Sequence, residues 1–432
     1  MKSNSFLLTS RFWGCVCLLF GNAIGAAMLV MPITMGLSGF FPSVIRCVIT
    51  MVMSLFAAFV LVDESASIKE EFFDSPKILE KLFPGSWQIL SSLLLFLFFT
   101  ALLSAYVVGG AKVICDLLDI DGGSAWISLI FGLVMAFIVS CRLTWVEVCN
   151  TPFTILIFLS FFYLLACCFP NADYTRLFYS DNLYAFYTMP IIVAAMGFHN
   201  VIPCMYLALD RDTRQLRTSI VIALSLVVFL LIVWGFATIS AIPISEEPTK
   251  GAVLFTSDKI LPSACRSFLA TQYCNSPVTL PLGNIVHFPG VLLTGICFSL
   301  LALITSYFGV GLSIKGTVRD ILLHGIKYDN RALCLLLAFG PSILIAIFCP
   351  GSFISVMSNV VGPLYVLIFI TLPCILAIRN HAYPVWKRIL GIVFLIISCL
   401  TILLNFCSNF GLLKIQSEAE KEYRETYIET KS

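Results

Sequence analysis

The hydrophobic residues of this chain form long blocks, and short polar segments separate them. Blocks of about 20 apolar residues match the thickness of a bilayer core. A lone segment surrounded by lipid satisfies its backbone only as a helix. We therefore predict an all-α polytopic membrane protein with eleven spans, at 12–37, 42–62, 87–110, 124–140, 150–169, 184–209, 218–240, 288–312, 332–349, 352–378 and 388–411.

Composition supports a membrane protein and excludes other classes. The chain is 59% hydrophobic and 12% charged, whereas a soluble domain carries about 25% charged residues. A net charge of +2 provides no basic stripe, so we expect no nucleic-acid partner. No CxxC pair or other ligand cluster indicates a metal or cofactor. Cys265 and Cys274 share the long polar segment 241–287, and the sequence leaves open whether they are bridged.

Positive charge predicts the orientation of the spans. Lys and Arg concentrate in alternate short loops, as in Arg211, Arg214 and Arg217, which places those loops and the N-terminus in the cytoplasm. An odd number of spans then places the C-terminus on the opposite side. We predict one transmembrane domain over 1–411. The tail 412–432 is polar and lacks an apolar stripe, so we expect it to be solvated and partly disordered.

Two spans contain residues that disfavour a continuous helix. The first carries Gly21, Asn22 and Gly25, and the sixth carries the segment 197–200 followed by Pro203. Glycine adds backbone freedom, asparagine offers competing hydrogen bonds and proline removes a donor. A helix break in lipid is tolerated where it faces a cavity or a ligand. Breaks in corresponding spans of two halves indicate a transporter site, although glycines also mark tight helix crossings.

These breaks suggest how a free amino acid would bind. The half-helix restarting near Gly25 directs its N–H groups at a carboxylate, and the carbonyls ending the preceding half hold an ammonium group. His199 has three possible roles: lining the pocket, relaying protons or fixing the break through a carbonyl. The candidate residues are Gly25, Ala26 and Ala27 for the carboxylate, Ala23, Ile24 and Gly197 for the ammonium, Phe198, Tyr106, Tyr307 and Asn359 for the ring, and Gly21, Asn22, Asn200 and Pro203 for the breaks.

The coupling ion is less apparent. No carboxylate lies in the middle of a span, so a boundary residue such as Glu147 would have to carry a proton. Thr305 and Ser306, with carbonyls of the first span, could instead coordinate Na⁺, although such hydroxyls often bond their own helix. No nucleophile with a base and no phosphate loop is present, so we predict that the protein is not an enzyme.

Four segments together resemble a known family. They read "FGNAIGAAMLVMP" at 20–32, "MGFHNVIPCMYLALDRDTRQLR" at 196–217, "TSYFGVGLSIKGTVRDIL" at 305–322 and "FGPSILIAIFCPGSFISVMSNVVGPLYVL" at 339–367. The chain resembles the bacterial hydroxy- and aromatic-amino-acid permeases, above all the tyrosine and tryptophan permeases, over nearly its whole length. The glycine–phenylalanine–histidine motif at 197–199 is the most specific part of the resemblance.

The resemblance implies a leucine-transporter-type fold. Its inverted repeats would cover 12–169 and 184–378, with one extra helix at 388–411. It also implies import of tyrosine or tryptophan with protons across the bacterial inner membrane, by alternating access. Asn22-Ala23 and Ala27 depart from the family pattern, which leaves the preferred ring open. Sodium coupling and a non-transporting amino-acid sensor stand as alternatives.

Overall fold

The computed structural model describes residues 10–70, 75–82, 89–118, 120, 124–141, 143–246, 265–286, 288–322, 330–413 and 415–427. For residues 10, 27, 143–151 and 426–427 it describes only the backbone. The described residues form helices and connecting turns without strands, which confirms the all-α fold class.

The helices are numbered in chain order. They are α1 (Ser10–Ile24), α2 (Ala27–Ser38), α3 (Phe40–Ala66), α4 (Ser75–Leu79), α5 (Ile89–Leu117), α6 (Ala125–Ser140), α7 (Leu143–Cys168), α8 (Asn182–Tyr187), α9 (Met189–Ala195), α10 (Ile202–Ala208), α11 (Thr213–Ala241), α12 (Phe268–Cys274), α13 (Thr279–Ile285), α14 (Val291–Asp320), α15 (Arg331–Phe348), α16 (Phe353–Val356), α17 (Gly362–Val366), α18 (Leu372–Arg379), α19 (Val385–Asn409) and α20 (Glu418–Tyr427).

The membrane-spanning helices occur where the hydrophobic pattern predicts them. Within the described ranges, nine helical segments are long and apolar enough to cross a bilayer. The bent pair α1–α2 is a tenth candidate, and α6 is a shorter apolar helix. In chain order these segments correspond to the eleven predicted spans. The protein is therefore a multi-pass membrane protein.

Helix packing buries α2 and α9, one half of each interrupted span, while α1 leaves a face with Trp13 and Leu18 exposed. α14 packs on α5 and α7, while α11 packs on α1, α2 and α3. Close crossings depend on glycine: a Cβ on Gly362 would lie 3.1 Å from the Pro190 backbone, which brings α17 against α9. Other helices thus lie against both interruptions and can satisfy the free backbone groups there.

A proline inside α2 is compensated by a tryptophan from α11. Pro32 has no N–H, so the carbonyl of Met28, four residues earlier, lacks its helical donor. The Trp234 Nε1–H donates to the Met28 carbonyl at 2.9 Å. Trp234 is fully buried, and its indole needs an acceptor there. This hydrogen bond ties the second half of the first span to the seventh span.

The described residues 265–286, between α11 and α14, lie at one end of the bundle, which we call the α12 face. Cys265 and Cys274 form a disulfide that brackets α12, which settles the pairing that the sequence left open. Phe268 of α12 packs directly on Gly36 of α2, where a Cβ would overlap its ring. The Val278 N–H donates to the Leu29 carbonyl at 3.0 Å. The α12 face therefore contacts the first span directly.

The polar tail docks on the same face. The N–H of Glu418, at the start of α20, donates to Asp181 Oδ2 at 2.9 Å. The N–H of Ala419 donates to the Tyr179 hydroxyl at 3.2 Å. Tyr423 is only 2% exposed. The prediction of a solvated, partly disordered tail is therefore wrong for α20. The buried side chains of Ala419 and Tyr423 and two hydrogen-bonded N–H groups hold this short helix on the bundle.

Candidate functional site

The first span is interrupted at Gly25 and Ala26. α1 ends at Ile24 and α2 begins at Ala27, with a bend of 58° between the two halves. The next two turns are tight, because the Met28 N–H bonds the Gly25 carbonyl and the Leu29 N–H bonds the Ala26 carbonyl. α1 runs unbroken through Gly21 and Asn22. These two predicted breakers therefore lie within the helix that precedes the interruption.

A hydroxyl from the eighth span fills this interruption. The Ala26 N–H donates to Ser306 Oγ at 3.2 Å. A Cβ built on Gly25 would overlap the same oxygen, so only glycine allows α14 to approach this closely. The Tyr106 hydroxyl of α5 also interacts with Ser306. Candidate residues from the first, third and eighth spans thus meet at one point.

The sixth span is interrupted between Ala195 and His199. α9 ends at Ala195, and a single 3₁₀ turn over His199–Val201 leads into α10. Gly197 is required there, since a Cβ would lie 2.8 Å from the Ala194 carbonyl oxygen. Pro203 lies in the first turn of α10, where its missing N–H leaves no helical bond unmade.

Asn22 connects the two interruptions. Its Nδ2 donates to the Gly197 carbonyl at 2.8 Å and to Asn200 Oδ1 at 3.1 Å. From the sequence alone, no role for Asn22 beyond helix breaking is apparent. Only the folded structure places the last turn of α1 beside the second break.

His199 anchors the second break to the second and tenth spans. Its ring is fully buried, with Nε2 3.0 Å from the Ser54 carbonyl and Nδ1 2.6 Å from the Tyr365 hydroxyl. A carbonyl only accepts, so Nε2 carries the hydrogen and Nδ1 of the neutral ring accepts from Tyr365. The Tyr365 hydroxyl also interacts with the backbone of Phe198 and His199. Of the three roles considered for His199, these contacts match fixing of the break.

Of the other ring candidates, Phe198 lies within the second interruption, whereas Tyr307 and Asn359 have contacts elsewhere. Phe198 is buried and stacks on its neighbour His199, with ring centroids 4.5 Å apart. Tyr307 stacks on Phe339 of α15, and its buried hydroxyl has no partner among the described residues. The carbonyl of Asn359, in a π-helical segment, accepts from Asn409 at 3.5 Å. The ring-binding role of these three residues stays a prediction, and the contacts described for Tyr307 and Asn359 involve neither break.

The ion-coupling candidates are also separated. The Thr305 hydroxyl donates to the Leu301 carbonyl of its own helix at 2.9 Å, whereas Ser306 faces the first interruption. The side chains of Glu147 and Ala27 lie outside the described residues. Across the ranges that the structure describes, no group of three His, Cys, Asp or Glu residues could hold a metal ion.

Sequence reasoning missed the residues on other spans that hydrogen-bond the groups of the interrupted spans. Tyr365 lies in one of the segments that carry the family resemblance, and a lone hydroxyl on an apolar helix is a signal that it needs a buried partner. Trp234 carries the same signal in its indole N–H. Neither signal names the partner, because the partner lies on another span.

Comparison with known proteins identifies the same family that the sequence segments resemble. The model of the tryptophan/tyrosine permease family matches residues 8–263 and 278–408. The chain is 26% identical to the tyrosine-specific transport system 1 of Haemophilus influenzae, over 89% of this chain and 93% of that one. It is 24% identical to the low affinity tryptophan permease of Escherichia coli K12, over 93% and 96%, and 21% identical to the glutamine transporter 2 of Aliivibrio fischeri, over 86% and 90%.

The family match covers both interrupted spans and the helices that fill them. Its two segments leave out only the chain ends and part of the polar segment that precedes α13. The chain therefore belongs to the tryptophan/tyrosine permease family.

Proposed function

We propose that this protein imports an aromatic amino acid, tyrosine or tryptophan, by proton symport with alternating access. The observation that carries the proposal is the interruption at Gly25 and Ala26, where the Ala26 N–H bonds the Ser306 hydroxyl of the eighth span and Tyr106 of the third span reaches Ser306. Family membership and the names of the tyrosine and tryptophan relatives support the substrate class.

The carboxylate of the substrate binds at the first interruption in this proposal. The N–H groups of Gly25, Ala26 and Ala27 begin α2, whose positive end favours an anion. Ser306 is a neutral acceptor for the Ala26 N–H, and a bond to a carboxylate is about twice as strong. The substrate therefore takes over that N–H, and the hydroxyls of Ser306 and Tyr106 turn to donate to it.

The ammonium group binds on the opposite side of the break. The carbonyls of Ala23 and Ile24 end α1, and the negative end of a helix favours a cation. The backbone near Gly197 lies close by, since Asn22 bonds the Gly197 carbonyl. We assign the ring of the substrate to the Tyr106 side of the site, because Tyr106 is the aromatic candidate that reaches the first interruption.

We place the α12 face in the periplasm of a bacterial inner membrane. The concentration of Lys and Arg in alternate loops sets the N-terminus in the cytoplasm and this face outside. The Cys265–Cys274 disulfide lies on this face, which agrees with an oxidising compartment. The proposed inverted repeats, about 12–169 and 184–378, place the two interruptions in their corresponding first helices.

Uptake by purified protein in liposomes tests the proposal. Labelled tyrosine or tryptophan is expected to accumulate when the outside is acidified, and unlabelled aromatic amino acids should compete. Absence of uptake of both would contradict the substrate class. Uptake that ignores the pH gradient would contradict proton coupling, and saturable binding without uptake would support a sensor instead.

Sodium coupling is a second candidate, and one contact favours it. Ser306 Oγ lies against Gly25 and Ala26, so it is next to the carbonyls of an interrupted span, and hard cations prefer oxygen ligands. Replacing external Na⁺ with choline at fixed pH separates the two ions. Loss of uptake in choline would support sodium, and unchanged uptake would support protons.

A further inference from the structure

Asn22 is placed to act on the second interruption from the first span. Its side chain is half-buried in the last turn of α1, and its carboxamide nitrogen makes both of its hydrogen bonds to the sixth span. The Gly197 carbonyl only accepts, so the atom facing it must be the nitrogen. The carboxamide oxygen then points toward α14, where a Cβ on Gly309 would lie 3.8 Å away.

The Gly197 carbonyl needs this partner because the local backbone does not provide one. In a continuous helix the N–H of Val201 would bond the Gly197 carbonyl, four residues earlier. Here the Val201 N–H bonds the Phe198 carbonyl at 3.1 Å instead. A carbonyl left without a donor inside the bundle costs free energy comparable to a lost hydrogen bond. Asn22 supplies that donor.

We propose that Asn22 is the positioning residue that holds the two interruptions at a fixed spacing, and so sets the distance between the carboxylate and ammonium sites. The inference rests on the proposed function, since it concerns the same binding site. Asn22 acts through the Gly197 carbonyl and Asn200. It keeps the first and sixth spans in register when the bundle moves.

Only a side chain with two donors of this length fits the role. Both hydrogens of the amide are used, one for each acceptor. Aspartate has the same shape but, when ionised, only accepts, so it would face two acceptors without a hydrogen between them. Leucine removes the hydrogen bonds without adding charge. Glutamine keeps both donors but displaces them by one methylene.

Hydrogen exchange tests the tie without any substrate. Backbone amide exchange in the segment 196–202 should become at least about tenfold faster in Asn22→Leu and Asn22→Asp, because the break loses its external bond. Asn405→Asp is the matched control: Asn405 is 4% exposed and donates to the Ser358 carbonyl, far along the chain from either break. Its substitution should leave exchange in 196–202 unchanged. Unchanged exchange in the Asn22 variants would overturn the proposal.

Transport kinetics test the positioning role. Asn22→Asp and Asn22→Leu should raise KM for tyrosine or tryptophan uptake about tenfold, the equivalent of one hydrogen bond, with a smaller change in kcat. Asn22→Gln should recover part of the loss. Asn200→Ala should add little to Asn22→Leu, because the two residues share one interaction. A fall in kcat at unchanged KM, or full additivity, would contradict the assignment.

The two assays separate the inference from the function on which it rests. Faster exchange in the Asn22 variants of a protein that takes up neither amino acid would leave the tie in place and remove the proposed substrate. Normal uptake by wild type with unchanged exchange in the variants would leave the proposed substrate in place and remove the tie.

Discussion

The first interruption, at Gly25 and Ala26, and the second, from Met196 to Phe198, differ in what satisfies their backbone groups. At the first, the Ala26 N–H bonds a neutral hydroxyl, Ser306. At the second, the Gly197 carbonyl accepts from Asn22, and the Tyr365 hydroxyl bonds His199 Nδ1.

This difference indicates that the two breaks have different roles. A single hydroxyl is readily exchanged for a carboxylate, since an ionised acceptor forms the stronger bond. A network that uses an amide, a phenol and a buried imidazole is held on several sides, and replacing it would leave several polar groups unpaired. We therefore expect the first break to respond to ligand and the second to support the fold.

Filling the space at the first break should have the largest effect. In Gly25→Ala the new Cβ overlaps Ser306 Oγ, so α14 must move away from α1. We expect uptake to fall at least about a hundredfold, because overpacking costs about 1–3 kcal/mol and also displaces the binding groups.

Gly21→Ala is the matched control for that variant. Gly21 lies inside α1, and a Cβ there meets no atom within 4 Å. Uptake should be unchanged, with stability equal or slightly higher, since alanine favours helix. Partial recovery in the double variant Gly25→Ala, Ser306→Gly would locate the clash. Normal uptake by Gly25→Ala alone would show that the close approach is not needed.

Removing a hydroxyl at the second break should affect stability more than binding. Tyr365→Phe leaves His199 Nδ1 without the hydroxyl that donates to it. Leaving buried groups unsatisfied costs about 1–3 kcal/mol. We expect the apparent Tm of the purified protein to fall by about 2–5 °C, with KM changed less than about threefold.

Tyr307→Phe is the matched control for Tyr365→Phe, because it also removes a buried tyrosine hydroxyl. The Tyr307 hydroxyl is buried and bonds no other described residue. Its removal should leave the apparent Tm equal or higher, because a buried polar group without a partner is unfavourable. Equal losses in the two variants would mean that the Tyr365 network does not stabilise the second break.

A smaller effect is expected at the hydroxyl of the first break. Ser306→Ala removes the acceptor of the Ala26 N–H, and in our proposal also a donor to the substrate. KM should rise about fivefold, the equivalent of about 1 kcal/mol. Thr305→Val is the comparison, because the Thr305 hydroxyl bonds its own helix. If both variants lose uptake together with dependence on Na⁺, the pair binds sodium and the carboxylate assignment fails.

The smallest effect should come from the hydrogen bond that compensates Pro32. Trp234→Phe removes the donor to the Met28 carbonyl and should lower stability by about 1 kcal/mol. In a Pro32→Ala background the new N–H competes for the same carbonyl, so the same change should cost less. A thermal double-mutant cycle measures this coupling. A cycle with no coupling would show that the indole does not replace the proline donor.

Local sequence signals predicted much of the molecule, and some were overlooked. Hydrophobic blocks predicted the spans because burial in lipid depends on composition over about 20 residues. Ser417, directly before α20, and Glu420 within it form a capping pattern, S-x-x-E, in which the Ser417 hydroxyl accepts the Glu420 N–H at 3.2 Å. That pattern predicts a helix in the tail. The docking partner, Asp181, lies 237 residues away in sequence and carries no such signal.

By itself, the sequence determined that this chain crosses the membrane many times in helices and that the first and sixth spans are weak points. Those properties follow from hydrophobicity and backbone preferences, which act over a few neighbouring residues. Only the tertiary structure decided which groups satisfy each break. Asn22 bonds the sixth span, Ser306 fills the first interruption, and Tyr365 and His199 close the second. Such contacts join residues far apart in the chain, and they exist only once the helices have packed.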